Sequence, residues 1–328
     1  MTAQSIPAQT IPGGWDSHTH IIPPAVIAAG ESGRYGMSAE PDLLKILGRG
    51  VATSALVDIN SLLKRVGSDA LDGAVVFIPP PLFRPDLEDG NRESYASFVN
   101  DSLLSACDPH RRALRPCAYL PIEAPELSAE IASTLDHNWV GTVAGTELGA
   151  LSFASSRYDS LWDVLSRRRI PLFIHPGASP DPRLDAFYLS NLLGNPVETT
   201  IAAANLVFSG VMERFPDLHV ILAHGGGCLA ALSGRWQQAV RTSRPGIPKG
   251  NLSVNDAVRR FYVDSVAHSP AYLKAIIEVV GEDRVLLGSD WPFPMGTDSA
   301  EHDIGPLDAT LKLKIRKTNA EAAFAGRL

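Results

Sequence analysis

Short apolar stretches recur along the whole chain, separated by segments with helical periodicity. Several of these stretches, such as PLFI and HVILA, are continuously apolar, as is typical of parallel strands that are buried on both faces. The pattern therefore predicts a series of buried strands. The eight candidates lie at residues 15–21, 73–80, 114–122, 141–148, 171–177, 219–226, 260–266 and 284–293.

The segments between these stretches predict helices. YDSLWDVLSRRR, PAYLKAIIEVVG and the stretch around ETTIAAANLVFSGVMERFP carry apolar positions at helical spacing, and the last of them ends just before Pro216. Eight strands that alternate with helices predict an α/β fold, specifically a (β/α)8 TIM barrel. A doubly wound open sheet is the competing architecture, but no Gly-x-Gly-x-x-Gly follows the first strand.

The connection after the first strand is longer than one crossover helix requires. Residues 23–72 are therefore predicted to contain an insertion, in the form of a small subdomain or lid. The length of 328 residues fits a single barrel domain over residues 1–328, because α/β barrels commonly reach this size.

Composition and charge narrow the class of protein. Hydrophobic residues make up 45% of the chain and charged residues 20%, the balance of a soluble globular protein. The formal net charge of -7 argues against nucleic acid or an anionic membrane as a partner, since no broad basic surface is expected.

The cysteines and the first residues of the chain indicate the cellular compartment in which the protein is expected. The three cysteines, Cys107, Cys117 and Cys228, are odd in number and lack a close metal-type spacing, which favours a reducing, cytoplasmic setting. The start, MTAQSIPAQTIPGG, is predicted to be a short tail, because it has neither the charged nor the apolar region of a signal peptide. No apolar run approaches the roughly 20 residues needed to span a bilayer.

Polar residues capable of catalysis or metal binding stand where the predicted strands end. Asp16, His18 and His20 alternate in WDSHTHIIPP, a spacing that predicts one shared face of the first strand. Ring nitrogens on one face can converge to about 2.0–2.1 Å from a zinc ion. His175 in FIHPG and Asp290 in GSDWPFP close the fifth and eighth strands.

In a barrel of this kind, catalytic residues gather at the carboxyl ends of the strands. His18, His20, His175 and Asp290 would form a site of three histidines and one carboxylate there, with a coordination position left for water. His224, in LAHGGG, ends the sixth strand at the same mouth. Taken singly, a buried histidine is more typical of a hydrogen-bonded core residue, and Asp290 is equally typical of a helix or turn cap.

The motifs His18-x-His20, His175-Pro176, His224-Gly-Gly-Gly and Gly288-Ser-Asp290-Trp-Pro-Phe-Pro resemble those of the amidohydrolase superfamily. The chain is most similar to the aminocarboxymuconate-semialdehyde decarboxylase branch (amidohydrolase-related, family 2), over nearly its whole length. The resemblance implies a barrel with a small insertion after the first strand.

The resemblance also implies roles for the site residues. His18, His20, His175 and Asp290 would hold one divalent metal ion, with zinc expected and manganese, iron or cobalt as alternatives. His224 would be the acid/base beside a water on the metal, and in a hydrolase on this site His224 or Asp290 would protonate the leaving group. Binuclear members of the superfamily use a carboxylated lysine at the end of strand four, but this strand reads VGTVAGTELG and contains no lysine. Glu147 in that segment is equally typical of a pocket residue and of a helix cap or surface position.

The residues expected to bind substrate depart in part from the family pattern. Arg235 matches an arginine that the family contributes across a dimer interface, so a homodimer is expected. The family's other substrate arginine has no counterpart in context, although Lys64 and Arg65 lie in that stretch. Phe293 is equally typical of a pocket wall and of ordinary packing. Gly177 stands where the family often has an aromatic residue, which predicts a different substrate pocket.

The expected function is that of a metal-dependent decarboxylase acting on a small carboxylated aromatic or unsaturated acid. A metal-dependent hydrolase of a lactone or amide, or a hydratase, is the alternative on the same site. A metal-binding protein without catalytic activity is a third reading, which the presence of His224 together with the ligands disfavours.

Overall fold

The computed structural model of the protein describes residues 11–177, 179–248 and 253–328. Eight parallel strands form one sheet in the order β1-β5-β6-β7-β8-β9-β10-β11, and the remaining three, β2-β3-β4, form a small antiparallel sheet. The strands are β1 Trp15–His20, β2 Met37–Glu40, β3 Leu43–Ile46, β4 Arg49–Ala52, β5 Gly73–Phe77, β6 Leu114–Tyr119, β7 Gly141–Ala144, β8 Leu172–Ile174, β9 Val220–Leu222, β10 Tyr262–Asp264 and β11 Val285–Leu286.

Helices connect the strands and cover the outside of the large sheet. They are α1 Pro24–Glu31, α2 Ile59–Ser68, α3 Asp89–Cys107, α4 Pro125–Thr134, α5 Asp159–Arg168, α6 Asn195–Phe208, α7 Val211–Arg214, α8 Leu229–Arg241, α9 Val254–Val258, α10 Pro270–Val280, α11 Ala309–Leu313 and α12 Asn319–Ala323. Strands such as β5 and β8 are buried at every position, as their continuous apolar sequences require. All eight predicted strands are present, and the prediction of a (β/α)8 barrel is confirmed.

The two edges of the large sheet meet between β1 and the segment that follows β11. The backbone N–H of Ser17 donates to Leu287 O at 2.8 Å, and that of His20 donates to Trp291 O at 2.9 Å. The N–H of Asp290 donates in turn to His18 O at 2.9 Å. These bonds join the first strand of the chain to the last.

The segment between β1 and β5 covers residues 23–72, for which an insertion is predicted. It contains α1 and the antiparallel sheet of β2, β3 and β4, followed by α2 as the helix that leads to β5. Arg84 anchors this insertion to the barrel, because its Nη1 donates to Tyr35 O at 2.8 Å while its guanidinium pairs with the carboxylate of Asp86. The single-domain assignment of residues 1–328 stays a prediction, and its first ten residues lie outside the described part of the chain.

One helix predicted to run to Pro216 is interrupted. α6 ends at Phe208 and the short α7 begins at Val211, with Gly210 between them at φ 72°. Glycine adopts this left-handed conformation without steric cost, so the Ser-Gly pair stops the helix before the proline does.

Candidate metal centre and active site

The first strand carries His18 and His20 into the barrel mouth, but Asp16 does not share their environment. Two residues of β1, Ser17 and His18, stand opposite the single residue Val75 of β5, since the register shifts between Asp16 and Thr19. Such a bulge interrupts the alternation of side chains along a strand. The expectation that all three residues lie on one face is therefore wrong.

Asp16 supports the strand instead of facing the site. Its Oδ1 accepts hydrogen bonds from the backbone N–H groups of Ser289 at 3.0 Å and His18 at 3.2 Å. Its Oδ2 lies 3.9 Å from Nε of Arg65 on α2. Arg65 is thereby directed at Asp16 and at the carbonyl of Asp298, and neighbouring Lys64 is exposed.

The ligand atoms of the four predicted metal-binding residues converge. Nε2 of His18 and Nε2 of His20 are 3.1 Å apart, and Asp290 Oδ1 lies 3.2 and 3.0 Å from them. His175 Nε2 lies 3.9 Å from the same oxygen, and all four ligand atoms lie within 4.8 Å of one another. Metal bonds of about 2.1 Å place neighbouring ligand atoms roughly 3.0 Å apart in an octahedron and 3.4 Å apart in a tetrahedron.

The arrangement of nitrogen lone pairs calls for a cation. His18 Nδ1 donates to Asp264 Oδ2 at 2.7 Å and His175 Nδ1 donates to Pro176 O at 2.8 Å, which leaves each Nε2 as an acceptor. His175 Nε2 is buried and has no hydrogen-bond partner among the described residues. Acceptor nitrogens that face a carboxylate oxygen need a shared ion or proton, so these residues fit a divalent metal ion.

The pKa values of the three histidines indicate which of them stay neutral and can bind a metal ion. Burial lowers the pKa of His20 to about 4 and that of His175 to about 3. Burial also acts on His18, but the charges of Asp290 and Asp264 outweigh it and raise the pKa of His18 to about 10. Two of the three imidazoles are thus held neutral, the form that binds metal.

Asp264, which no sequence motif indicated, orients His18 and the backbone around His224 through hydrogen bonds. It ends β10 and is fully buried. Besides the bond from His18, its carboxylate accepts backbone hydrogen bonds from His224 and Gly225, both at 2.9 Å, and from Val266 at 3.0 Å. Although burial opposes its ionisation, these donors lower the pKa of Asp264. The available signal was a carboxylate at the end of an apolar strand, YVD, at the same barrel mouth.

His224 lies beside the four ligands rather than among them. Its side chain is 18% exposed, whereas those of His18 and His20 are fully buried. Its Nε2 is 3.5 Å from Asp290 Oδ2, and its ring centroid is 5.0 Å from that of His175. The residue has φ 55° and is followed by three glycines with positive φ, so the chain turns sharply here and presents the imidazole to the mouth.

The predicted substrate-binding residues differ in position. Phe293 is partly buried, and its ring packs edge-on against His20 with 5.1 Å between centroids. Arg235 lies on α8, is exposed, and forms no hydrogen bond or ion pair with the residues that the structure describes. Phe293 therefore joins the site within one chain, whereas Arg235 does not contact the four ligands.

Comparison with known proteins identifies the family. Residues 15–325 match the family model described as Amidohydrolase. The chain belongs to the amidohydrolase family.

Its relatives include decarboxylases of the predicted branch. A 2-amino-3-carboxymuconate-6-semialdehyde decarboxylase of Caenorhabditis elegans is 34% identical over 271 residues, which cover 66% of this chain and 67% of that protein. The Dictyostelium discoideum protein of the same name is 26% identical over 71% of this chain and 66% of its own length. The chain thus spans about two thirds of the length of these relatives, and they confirm the predicted branch.

Solved structures share the fold over nearly the whole chain. The apo IDCase of Metarhizium anisopliae is 26% identical with a TM-score of 0.79, covering 98% of this chain and 99% of that one. A 5-carboxyvanillate decarboxylase of Novosphingobium aromaticivorans, complexed with manganese and 4-hydroxy-3-methoxy-5-nitrobenzoic acid, is 21% identical with a TM-score of 0.81 and 97% of each chain covered. These structures show the fold, and the decarboxylases among its relatives confirm the predicted class, a metal-dependent carboxy-lyase of this family.

Nothing in the described part of the chain resembles a membrane-spanning helix, since none of its helices combines the necessary length and apolar character.

Proposed function

We propose that the protein decarboxylates a small aromatic or unsaturated carboxylic acid, using one divalent metal ion and His224 as the acid/base. The observation that carries this proposal is the placement of His224 Nε2 at 3.5 Å from Asp290, one of four convergent metal-ligand candidates. Decarboxylases among its relatives support the same reaction type.

The chemistry of the residues follows from their positions. When bound by His18, His20, His175 and Asp290, the ion supplies a positive charge that attracts the substrate carboxylate and stabilises negative charge on the reacting acid. His224 donates a proton to the carbon that carries the carboxylate. The bond from that carbon to the carboxylate then breaks, its electron pair remains on the ring or chain, and carbon dioxide leaves.

Apolar side chains make the site a low-dielectric environment in which these charges interact strongly. Phe77 and Phe173 are fully buried, and their ring centroids lie 5.5 and 5.0 Å from that of His18. Phe293 would form a wall of the substrate pocket beside His20. Exclusion of water from such a pocket favours proton transfer from His224 over exchange with solvent.

The metal is proposed to be zinc, since three histidines and one carboxylate suit it, although manganese, iron and cobalt fit the same donors. The manganese in the Novosphingobium decarboxylase supports a divalent metal ion at this site, without favouring zinc over the other three metals. Elemental analysis of the protein purified without added metal tests the choice, and a content well below one ion per chain would contradict the proposal.

A homodimer is the proposed assembly. Several apolar side chains are exposed in the connection between β8 and α6 and on α6 itself, namely Phe187, Tyr188, Leu192, Leu193 and Ile201. Pairing of two chains would cover such a surface, and Arg235 would be available to the neighbouring site. Light scattering at micromolar concentration tests this, and a fully active monomer would contradict it.

The three free cysteines support the proposed cytoplasmic setting.

The reaction is tested by assaying the metal-loaded protein against a panel of carboxylated aromatics, muconates and lactones. Release of carbon dioxide that requires the metal is the expected result. Ring opening without carbon dioxide would replace the decarboxylase with a hydrolase, and inactivity of the metal-replete protein on all classes would contradict the proposal.

A further inference from the structure

Two glycines occupy the carboxyl ends of the fourth and fifth barrel strands, beside the metal-ligand candidates. Gly145 directly follows β7, and Gly177 stands two residues after His175. A Cβ atom at Gly145 would lie 3.2 Å from the ring of Phe83, and one at Gly177 would lie 2.5 Å from Oε2 of Glu147. The space that side chains at these positions would fill is therefore taken by Phe83 and by the carboxylate of Glu147.

Both residues belong to the side of the mouth that His175 occupies. The Phe83 ring is nearly buried, stacks on Tyr119 with 5.4 Å between centroids, and lies 6.4 Å from the imidazole of His175. The Glu147 carboxylate lies against the backbone of Gly177. An aromatic surface and an acidic group thus stand next to each other on one wall.

A second acidic residue lies near Glu147 on this wall. Glu123, which follows β6, has an almost buried carboxylate that pairs with Arg92 Nε at 2.8 Å. Burial raises the pKa of Glu123 against the effect of Arg92, and the charge of Glu147 raises it further. Arg92 also pairs with Asp89, so its charge is already engaged by two carboxylates and does not make the wall attractive to an anion.

We propose that Glu147 determines substrate specificity, by accepting a hydrogen bond from a hydroxyl, amino or ring N–H group of the acid and by excluding a second carboxylate from this wall. The inference rests on the proposed function and deepens it. The leaving carboxylate is drawn toward the metal ion, and the ring packs against Phe83. The far side of the ring then meets Glu147, where a donor forms a charge-assisted hydrogen bond and a second anion meets repulsion in a partly desolvated site.

The test compares binding of matched ligands to metal-loaded, full-length variants. The probes are the ortho, meta and para hydroxybenzoates and the three benzenedicarboxylates, with dissociation constants measured by calorimetry. Wild type is expected to prefer a hydroxybenzoate over its matching dicarboxylate at one position by at least about tenfold. Glu147→Gln should reduce that ratio about 10- to 100-fold, the range expected for losing a charged hydrogen-bond partner.

Matched variants separate charge at this position from other effects. Glu147→Asp keeps the charge and should retain the exclusion of dicarboxylates. Glu130→Gln removes an exposed carboxylate on the helix α4 and should leave the ratio unchanged. If Glu147→Gln does not fold, Gly177→Ala replaces it, because the new Cβ displaces the Glu147 carboxylate. An unchanged ratio in the tested variant, or an equal change in Glu130→Gln, would overturn the proposal.

Carbon dioxide release from the hydroxybenzoates, measured in parallel, distinguishes this inference from the proposed function. Release with an unchanged binding ratio overturns the role of Glu147 alone. A changed ratio without release from any acid overturns the decarboxylase and leaves the role of Glu147 standing. Absence of binding by all six probes overturns the role of Glu147, and the assay of the muconates then decides on the decarboxylase.

Discussion

Replacing Asp264 with asparagine is expected to weaken metal binding, although Asp264 is not one of the converging ligands. Its Oδ2 accepts from His18 Nδ1 and from the His224 backbone, and its Oδ1 accepts from the backbones of Gly225 and Val266. In Asp264→Asn one of these oxygens becomes an NH2 group, which cannot accept. The Oδ2 position is favoured for that group, because His18 can change tautomer to accept at Nδ1 whereas backbone N–H groups cannot.

The consequence is a proton on the wrong nitrogen of His18. With its proton on Nε2, His18 has no lone pair for a metal ion. Loss of a carboxylate partner behind a ligating histidine typically lowers metal affinity about 10–100-fold. The N–H of His224 also loses its acceptor, and a buried donor left unsatisfied costs about 1–3 kcal/mol of unfolding free energy. Both decreases are expected in Asp264→Asn.

Competition with a chelator of known affinity measures the first effect, and denaturant unfolding of chelator-stripped protein measures the second. Asp303→Asn is the matched control. Asp303 is also buried, and its Oδ2 accepts from the backbones of Ala267 and His268 at 3.2 and 3.0 Å, but it bonds to none of the four ligands. Both donors reach the same oxygen, which Asp303→Asn can keep in place, so this variant should keep its metal affinity and most of its stability. A folded Asp264→Asn protein with metal affinity within about threefold of wild type would refute the tautomer argument.

Three further predictions concern the imidazoles. His224→Asn should retain the metal while the chemical step slows about 10²–10⁴-fold and one limb of the pH–rate profile disappears; near-normal turnover of the metal-replete variant would rule out the acid/base role. His175→Ala should lose most of its metal with an unchanged circular dichroism spectrum, and full metal content by elemental analysis would remove His175 from the site. In metal-free protein, burial acts against the charge of His18, but Asp290 and Asp264 raise its pKa from 6.5 to about 10. The folded state therefore binds that proton more tightly, so the stabilisation is complete below pH 6.5. It should be lost between pH 6.5 and 10, with a slope of up to about 1.4 kcal/mol per pH unit. An unfolding free energy that does not fall over this range would contradict it.

The barrel and its ligand candidates were predictable because both leave local marks in the sequence. Each strand buried on both faces is a short continuous apolar run, and His175 and Asp290 stand at the ends of such runs, with a proline one and two residues further on. Parallel strands bring their carboxyl ends to one mouth, so the position of each residue in its run was enough to bring the ligands together.

Other features depend on partners that are distant in sequence and leave no local mark. The bulge that turns Asp16 toward α2 arises from pairing with β5, which alternation along one strand does not reveal. Asp264 acts through four donors, three of which lie in distant segments, so a single carboxylate after YV carried no motif. Gly210 offered a local signal for the end of α6, but the apolar periodicity across it predicted a continuous helix.

The seam between β1 and the segment after β11 has a consequence for the order in which the molecule is assembled. His20 and Asp290 are 270 residues apart, and they meet where the first and last strands join. At about 5–20 residues per second, a ribosome needs roughly 15–50 s to add the stretch between them. During that time only the histidines among the four ligand candidates are available to a metal ion. The carboxylate arrives only with the eighth strand, and an ion held by all four residues then ties the two ends of the chain together. Unfolding of the loaded protein should therefore be much slower than that of the stripped protein, since opening the seam also requires release of the ion.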